Sequence, residues 1–289
     1  LLMLGRCACE TGDLETARLM YERVLQIEPG NAGAAERLVA VKGQATAAGS
    51  YSAKISEIKT PMVSVIVPTY NRPDTLLNAL RSILNQTYRD FEIIVVNDGG
   101  SDIENIVRFL DKDGRITYIR HGSNRDRAAA RNTGIRVASG KYIAYLDDDD
   151  LYYPDHLHTL VTFMQQSGQK VAYSDAHRAH QEKRDGRYIV TKRDMPYSFD
   201  FDHDRILVHN FIPVLCLMHE KECLDIVGLF DESLTTHEDW DLLIRLSRRF
   251  QLTHIKKVTC EFASRTDGST TTSSKLPDLR RTYAIILER

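Results

Sequence analysis

Short apolar runs alternate with stretches whose apolar residues recur every three or four positions, and this rhythm holds from about residue 62 to residue 150. Val63 to Val67, Glu92 to Val96, Thr117 to Arg120 and Tyr142 to Leu146 are β-branched or aromatic runs. The most apolar of them suit strands buried on both faces. Between them, Pro73 to Asn85, Ile103 to Leu110 and Arg127 to Ala138 carry helical spacing. The alternation predicts an α/β fold with a mostly parallel sheet flanked by helices. Past residue 150 the rhythm changes. It predicts a helix over Asp155 to Gln166, a hairpin over Val171 to Thr191 and a strand-helix segment ending at Leu229. An amphipathic helix from His237 to Phe250, a strand from Leu252 to Val258, a Ser/Thr-rich loop and a final helix follow.

Residues 1 to 45 read as helices, with Leu4 and Ala8, then Leu14, Ala17, Met20, Tyr21, Val24 and Leu25 on apolar faces. Gly12-Asp13 marks a turn, and Glu28-Pro29-Gly30-Asn31 stops the second helix. The order of small residue, Gly-Asp turn, Ala, aromatic, Leu, Pro and Asn resembles a tetratricopeptide repeat, a unit that stacks with its neighbours. The equal alternative is a helical hairpin that caps the next domain. Gln44 to Pro61, rich in Ala, Gly, Ser and Lys, reads as a linker. The expected organisation is a helical segment over 1–45, a linker over 46–61 and a main domain over 62–289. Within that domain the change of rhythm separates 62–150, read as a nucleotide-binding half, from 151–289, read as an acceptor side.

At 289 residues, 42% hydrophobic and 27% charged, the chain has a globular composition. Its formal net charge of -2 gives no field for holding a polyanion, so nucleic acid is not an expected partner. Five cysteines, odd in number and without C-x-x-C spacing, fit a reducing cytosol. The longest apolar runs fall short of the roughly 20 residues that cross a bilayer. A cytoplasmic protein is expected, with a peripheral place at the inner membrane face as the variant. For that variant the basic amphipathic segment Leu279 to Ile286 would touch lipid, although ordinary packing is the better explanation of it. The start without Met and the end inside a helical pattern read as an excerpt from a longer protein.

Ligands of open parallel sheets collect beyond the carboxyl ends of the strands. Three such ends carry chemistry here: Pro68-Thr69-Tyr70-Asn71-Arg72, Asn97-Asp98-Gly99-Gly100-Ser101-Asp102, and Asp147-Asp148-Asp149-Asp150. Four adjacent carboxylates repel one another unless a cation relieves them. Mg²⁺ and Mn²⁺ take one or two carboxylates and complete their shells with water and phosphate oxygens, so the cluster points to a diphosphate substrate. The alternative is a solvated loop with one aspartate capping the helix near Pro154-Asp155. Asp98 is placed to accept a hydrogen bond from a base N–H, and Gly99-Gly100 permit a tight turn. Asp102 reads as a helix cap with Glu104 in the first turn. No G-x-G-x-x-G follows the first strand, which disfavours a dinucleotide site.

Arg127 and Arg131 share a helical face just after Arg125, placed either for phosphate oxygens or for solvent. In His237-Glu238-Asp239-Trp240-Asp241, apolar positions 240, 243, 244 and 246 face a core and Asp241 pairs with Arg245. Glu238 and Asp239 occupy the first turn, where they either complement the helix dipole or remove a proton from an attacking hydroxyl. His156 and His158, two apart, read as surface residues. There is no H-E-x-x-H and no G-x-S-x-G.

Taken together these residues resemble the family 2 nucleotide-sugar glycosyltransferases of GT-A fold, over about residues 62 to 270. The resemblance rests on residues 63–72, Val-Asn-Asp-Gly-Gly-Ser-Asp (96–102), Ala-Arg-Asn-Thr-Gly (130–134), Tyr-Leu-Asp-Asp-Asp-Asp (145–150) and Glu-Asp-Trp (238–240). It implies a nucleotide-sugar site built by Pro68, Thr69, Tyr70, Asn71, Arg72, Asp98, Gly99, Arg131, Asp147, Asp148 and Arg265. Asp98 would meet the base. Asp147 and Asp149 match the outer members of a D-x-D, the first near the ribose and the last on Mn²⁺ or Mg²⁺. Asp239 matches the general base, with Glu238 beside it. Arg265 opens a loop, Arg265 to Ser269, suited to closing over the donor.

The implied reaction is inverting transfer from a UDP- or dTDP-type sugar to a hydroxyl of a glycan, a lipid-linked glycan or a protein. The N-terminal helices would present a protein partner. The additional glycine in Asp98-Gly99-Gly100-Ser101 departs from the commoner Asp-Gly-Ser and leaves the role of Asp102 open. The rival readings are a nucleotidyltransferase that makes a nucleotide-sugar, and an inactive sugar-binding scaffold joined to helical repeats. The former should carry a glycine-rich basic loop after the first strand, and Thr69-Tyr70-Asn71 is not one.

Overall fold

The computed structural model describes residues 14–27, 29–47, 60–269 and 276–287. The chain divides into two compact units, meeting between Lys59 and Thr60. In the first, helices α1 (Leu14–Ile27) and α2 (Ala32–Ala47) are separated by a turn at Pro29-Gly30. Ala17, Tyr21 and Val41 form its small core, with Leu38 packed against them. The Asn31 side chain accepts the Ala34 N–H at 3.0 Å and so starts α2. The expected helix over Leu4 and Ala8 and the Gly12-Asp13 turn lie outside the described residues, as does most of the expected linker. Its first two residues continue α2.

The second unit is built on a nine-stranded sheet in the order β3-β2-β1-β4-β8-β6-β9-β5, with β7 paired to β6. Its first four strands in sequence are β1 (Val63–Thr69), β2 (Phe91–Asn97), β3 (Ile116–Arg120) and β4 (Tyr142–Tyr145). They are parallel to one another, as the apolar runs predict. β1 and β4 are buried along their whole length, which is why they lack a polar face. The other strands are β5 (Leu151–Tyr152), β6 (Val171–Arg184), β7 (Arg187–Asp194), β8 (Leu217–Glu220) and β9 (Leu252–Ser264). β8 runs antiparallel to both β4 and β6, and β6 returns to a parallel pairing with β9. The whole sheet is therefore mixed, and the mostly parallel arrangement holds for its first half only.

The chain winds outward from β1 to β2 and β3, then returns to place β4 on the other side of β1. In open sheets such a reversal is where ligands collect, beyond the carboxyl ends of the flanking strands, here β1 and β4. Between the strands run α3 (Pro73–Leu84), α4 (Glu104–Leu110) and α5 (Asp126–Val137). α5 lies close against β1: a Cβ on Gly134 would come within 2.7 Å of Ile66 Cγ2. On the same helix, Arg131 reaches Asp147 in the turn after β4.

Past β4 come α6 (His156–Ser167), α7 (His203–Val208), α8 (Cys223–Val227), α9 (Glu238–Ser247) and α10 (Leu276–Leu287). α9 buries Trp240, Leu242, Leu243 and Leu246. Trp240 Nε1 donates to the Ile206 carbonyl at 2.6 Å and ties α9 to α7. His156 departs from its sequence expectation. It is not a surface residue: it is fully buried, stacked on Tyr152 at 3.8 Å between centroids, with Nδ1 at 2.7 Å from the Thr259 hydroxyl. His158, two positions on, is exposed. No helix among the described residues is long and apolar enough to cross a membrane.

Candidate active site

The four aspartates after β4 do not act as one cluster. The turn they form points Asp148 and Asp150 inward and leaves Asp147 and Asp149 partly exposed. Asp150 accepts the Ala263 N–H at 2.9 Å and fastens the turn to β9. Asp148 accepts from the Thr69 hydroxyl at 2.7 Å and from Arg72 at 3.2 Å. Asp149 faces two cations, Arg72 at 3.2 Å and Arg265 at 3.0 Å. Asp147 holds Arg131 at 2.6 Å.

Burial, and then the adjacent Asp149 charge, push the Asp148 carboxyl up to about 7. Asp149 and Asp150 are raised as well, first by burial. Asp147 goes the other way, because Arg131 and Arg127 overcome the burial that opposes its charge. Among the described residues no three His, Cys, Asp or Glu side chains are grouped to hold a metal by themselves. Asp147 and Asp149, the two partly exposed carboxylates, are the ones that could meet an ion that takes its remaining oxygens from phosphate and water.

The ends of β1 and β2 interlock beside this turn. Pro68 is buried in β1 opposite Val96, while Tyr70 is exposed. Asn71 adopts a left-handed φ of 56°, and its side-chain oxygen accepts the Ser101 N–H at 2.8 Å. Gly99, at φ 79°, cannot be replaced without conflict: its Cβ would lie 2.4 Å from the Ser123 carbonyl carbon. Asp98 is buried against the same 121–125 loop, accepting the Arg125 N–H at 2.9 and 3.0 Å and lying 2.7 Å from His121 Nδ1. Asp102 accepts the Glu104 N–H at 2.9 Å from one residue ahead of the cap position of α4, which Ile103 occupies, so it does not cap the helix as expected.

The carboxylates of α9 stand across Arg131 from the aspartate turn. Glu238 is buried, with Oε1 at 2.7 Å from Arg131 and 3.5 Å from Arg127, while its Oε2 has no partner. Asp239 accepts the Trp240 N–H at 2.8 Å through Oδ1, and its Oδ2 faces the Asn210 amide at 3.4 Å. Burial first, then the Glu238 charge, raises Asp239 to about 6, against the pull of Arg131 and Arg127. Asp241 is structural: it pairs with Arg245, which in turn donates to the carbonyls of Val227 and Leu229.

Arg265 is held in place before any ligand arrives. Its Nε donates to Gln181 at 2.8 Å, and its guanidinium lies 4.0 Å from the centroid of the Tyr188 ring. Arg72 also donates to the Ser269 carbonyl, so the 265–269 loop and the β1 end are joined.

Two sets of contacts, Thr69–Asp148–Arg72–Asp149–Arg265 and Asp147–Arg131–Glu238, meet at the aspartate turn, where Asp147 and Asp148 are consecutive, and Asp239 is next in sequence to Glu238. Asp98 and Gly99 belong to an adjoining group reached through Asn71 and Ser101. Sequence reasoning did not single out His121, Asn210, Gln181 or Tyr188, whose roles arise from loops and strands distant in the chain. Their residue types carry no local signal.

Comparison with known proteins gives a consistent answer. Residues 64–224, more than half of the chain, match the family described as Glycosyl transferase family 2. An uncharacterized glycosyltransferase of Rickettsia bellii is 34% identical over 219 residues, 74% of this chain and 30% of that protein. The putative colanic acid biosynthesis glycosyl transferase WcaA of Escherichia coli is 30% identical over 190 residues, 64% of this chain and 66% of that protein. The chain spans about a third or less of the length of the first three curated relatives it matches. Staphylococcus aureus TarS 1-349 in complex with UDP-GlcNAc superposes with a TM-score of 0.60 at 19% identity, covering 78% of this chain and 66% of that one. The mannosyltransferase PcManGT of Pyrobaculum calidifontis, in complex with GDP-Man and Mn²⁺, gives 0.56 at 19% identity, covering 92% and 70%. At such identities the two structures speak for the fold.

Proposed function

The chain belongs to glycosyl transferase family 2, and from that premise we propose that it moves a sugar from a nucleoside diphosphate onto an acceptor hydroxyl by single displacement, with Asp239 taking the proton. The observation that carries this reading is the position of Arg131, which touches Asp147 on one side and Glu238, the neighbour of Asp239, on the other. Donor-side and acceptor-side carboxylates thus border one crevice at the carboxyl ends of β1 and β4.

Asp98 and the 121–125 loop form the end that receives the base. Asp147 and Asp149, the two partly exposed members of the turn, would hold Mn²⁺ or Mg²⁺. Such an ion, when bound, offsets charge on the departing diphosphate. Arg72 and Arg265 face the same region and supply protein cations to the phosphate oxygens. Of the two carboxylates that open α9, Asp239 suits proton removal better. Glu238 is already engaged by two arginines and buried, whereas Asp239 is more open and titrates near 6. A base with that affinity is ionised at neutral pH yet still able to take a proton. One base without an enzyme nucleophile gives inversion at the transferred carbon. The acceptor is a glycan, lipid-linked glycan or protein hydroxyl, in keeping with the colanic acid relative.

The test is a panel of nucleotide-sugars, including UDP-GlcNAc and GDP-mannose, scored by thermal stabilisation with and without Mn²⁺. At least one should raise the melting temperature, and more so with the ion. If none does in either condition, the donor reading fails.

A further inference from the structure

We propose that Arg131 is a positioning residue that couples the aspartate turn to the base helix, setting the spacing and charge of both. This deepens the reading given above and rests on it for the role of Asp239. The sequence placed Arg131 among residues for phosphate oxygens. In the structure both of its terminal nitrogens are committed to protein carboxylates, Nη2 to Asp147 at 2.6 Å and Nη1 to Glu238 at 2.7 Å. The residue is 1% exposed, and its guanidinium lies 5.4 Å from the centroid of the Phe230 ring.

A guanidinium is rigid and planar, so two carboxylates held on its two arms have a fixed separation. Asp147 is the first aspartate of the turn that follows β4, and Glu238 is the first residue of α9. The bridge thus sets the distance between two elements that share no backbone hydrogen bond among those described. It also balances charge. Arg131 faces Asp147 after β4, Glu238 and Asp239 from α9, Arg127 from its own helix and the Tyr145 hydroxyl from β4. Without it, buried Glu238 would keep Arg127 as its nearby cation and partly exposed Asp147 would keep Arg127 and Arg72, and the less compensated Glu238 would make Asp239 harder to ionise.

Two measurements test the proposal. The first is a double-mutant cycle on thermal and urea stability with Arg131→Gln, Glu238→Gln and the pair, which reads the bridge without reference to chemistry. Arg131→Gln should lose much more stability in the native background than in Glu238→Gln, where charge is rebalanced. Additive effects would overturn the bridge. The second is the pH dependence of transfer in Arg131→Lys and in the Arg131→Gln/Glu238→Gln pair, with donor affinity measured alongside for UDP-GlcNAc or GDP-mannose.

Arg131→Lys should bind donor within about threefold of the native affinity, lose about tenfold in kcat, and show its acidic limb at higher pH. The paired variant should return the limb toward its native position without restoring kcat. A variant that loses donor affinity while keeping kcat and the native limb would identify Arg131 as a phosphate ligand and overturn the positioning role. Should the native enzyme itself lack an acidic limb, the base assignment fails, and the stability cycle with the kcat-against-affinity split still decides the bridge.

Discussion

The Thr69 hydroxyl donates to the Asp148 carboxylate across 2.7 Å, joining the carboxyl ends of β1 and β4 at the point where strand order reverses. The contact holds the inward-facing aspartate in place, while Asp147 and Asp149 stay partly exposed. It also confines a carboxyl that burial has raised to about 7.

That confinement gives a stability prediction with a definite sign. A carboxyl whose folded pKa is raised binds its proton more tightly in the folded state, so its ionisation weakens folding as pH rises from its unfolded value toward its folded one. The penalty is fully present above about 7 and is relieved as pH falls through that range. Asp148→Asn, which mimics the protonated form, should raise the melting temperature more at about pH 8 than at about pH 6. A gain that is equal or larger at the lower pH would contradict the assignment.

Gly99 gives a backbone prediction. At φ 79°, with a Cβ position 2.4 Å from the Ser123 carbonyl carbon, Gly99→Ala must displace the loop that holds Asp98. It should cost about 2 kcal/mol or more in urea unfolding and weaken nucleotide binding. Gly114→Ala, also at positive φ but with nothing within 4 Å, should cost only about 1 kcal/mol. Equal costs at the two positions would show that the close approach to Ser123 has no consequence.

Metal dependence is predicted from the two partly exposed aspartates. Chelation should abolish transfer, and Mn²⁺ or Mg²⁺ should restore it. In the presence of a nucleoside diphosphate, Mn²⁺ at about 100 times its Kd should add about 2.7 kcal/mol of apparent stability. Asp149→Asn should lose most of that increment. Full transfer in a chelator would remove the ion from the reaction.

Arg265 should report on the donor phosphates. Because Gln181 and the Tyr188 ring already hold its guanidinium, Arg265→Ala is expected to weaken donor binding about tenfold. Gln181→Ala should act in the same direction and less strongly. Unchanged donor affinity in Arg265→Ala would argue against a phosphate contact.

The parts of the fold that were legible are those where one physical signal dominates. β1, β2 and β4 stand out because strands buried on both faces need nearly continuous apolar residues, and α9 because Trp240, Leu243, Ile244 and Leu246 recur at helical spacing. β9 was expected to stop at Val258 but runs to Ser264. Glu261 disguises the continuation, since it is buried there only because Arg193 and Tyr153 satisfy it. α7 escaped because six residues are too few to display a period, and its signal is the Asp202 cap on the Arg205 N–H. His156 and His158 diverge as their spacing requires, but spacing alone does not say which one turns inward.

At the site, motif residues at strand ends were readable. Asn210 beside Asp239 and His121 beside Asp98 were not, because each is set by the meeting of segments far apart in the chain. The division of the four aspartates into two inward and two outward members was equally hidden. It depends on Thr69, Arg72 and Ala263, none of them adjacent in sequence to the turn.

The most direct test of the account is Asp239→Asn. Donor binding, measured by calorimetry with UDP-GlcNAc or GDP-mannose and Mn²⁺, should stay close to native, while transfer to the acceptor falls about 100-fold or more. Near-normal turnover by this variant would contradict the account, since Glu238 and Asp241, the other carboxylates of α9, are both buried and paired with arginines.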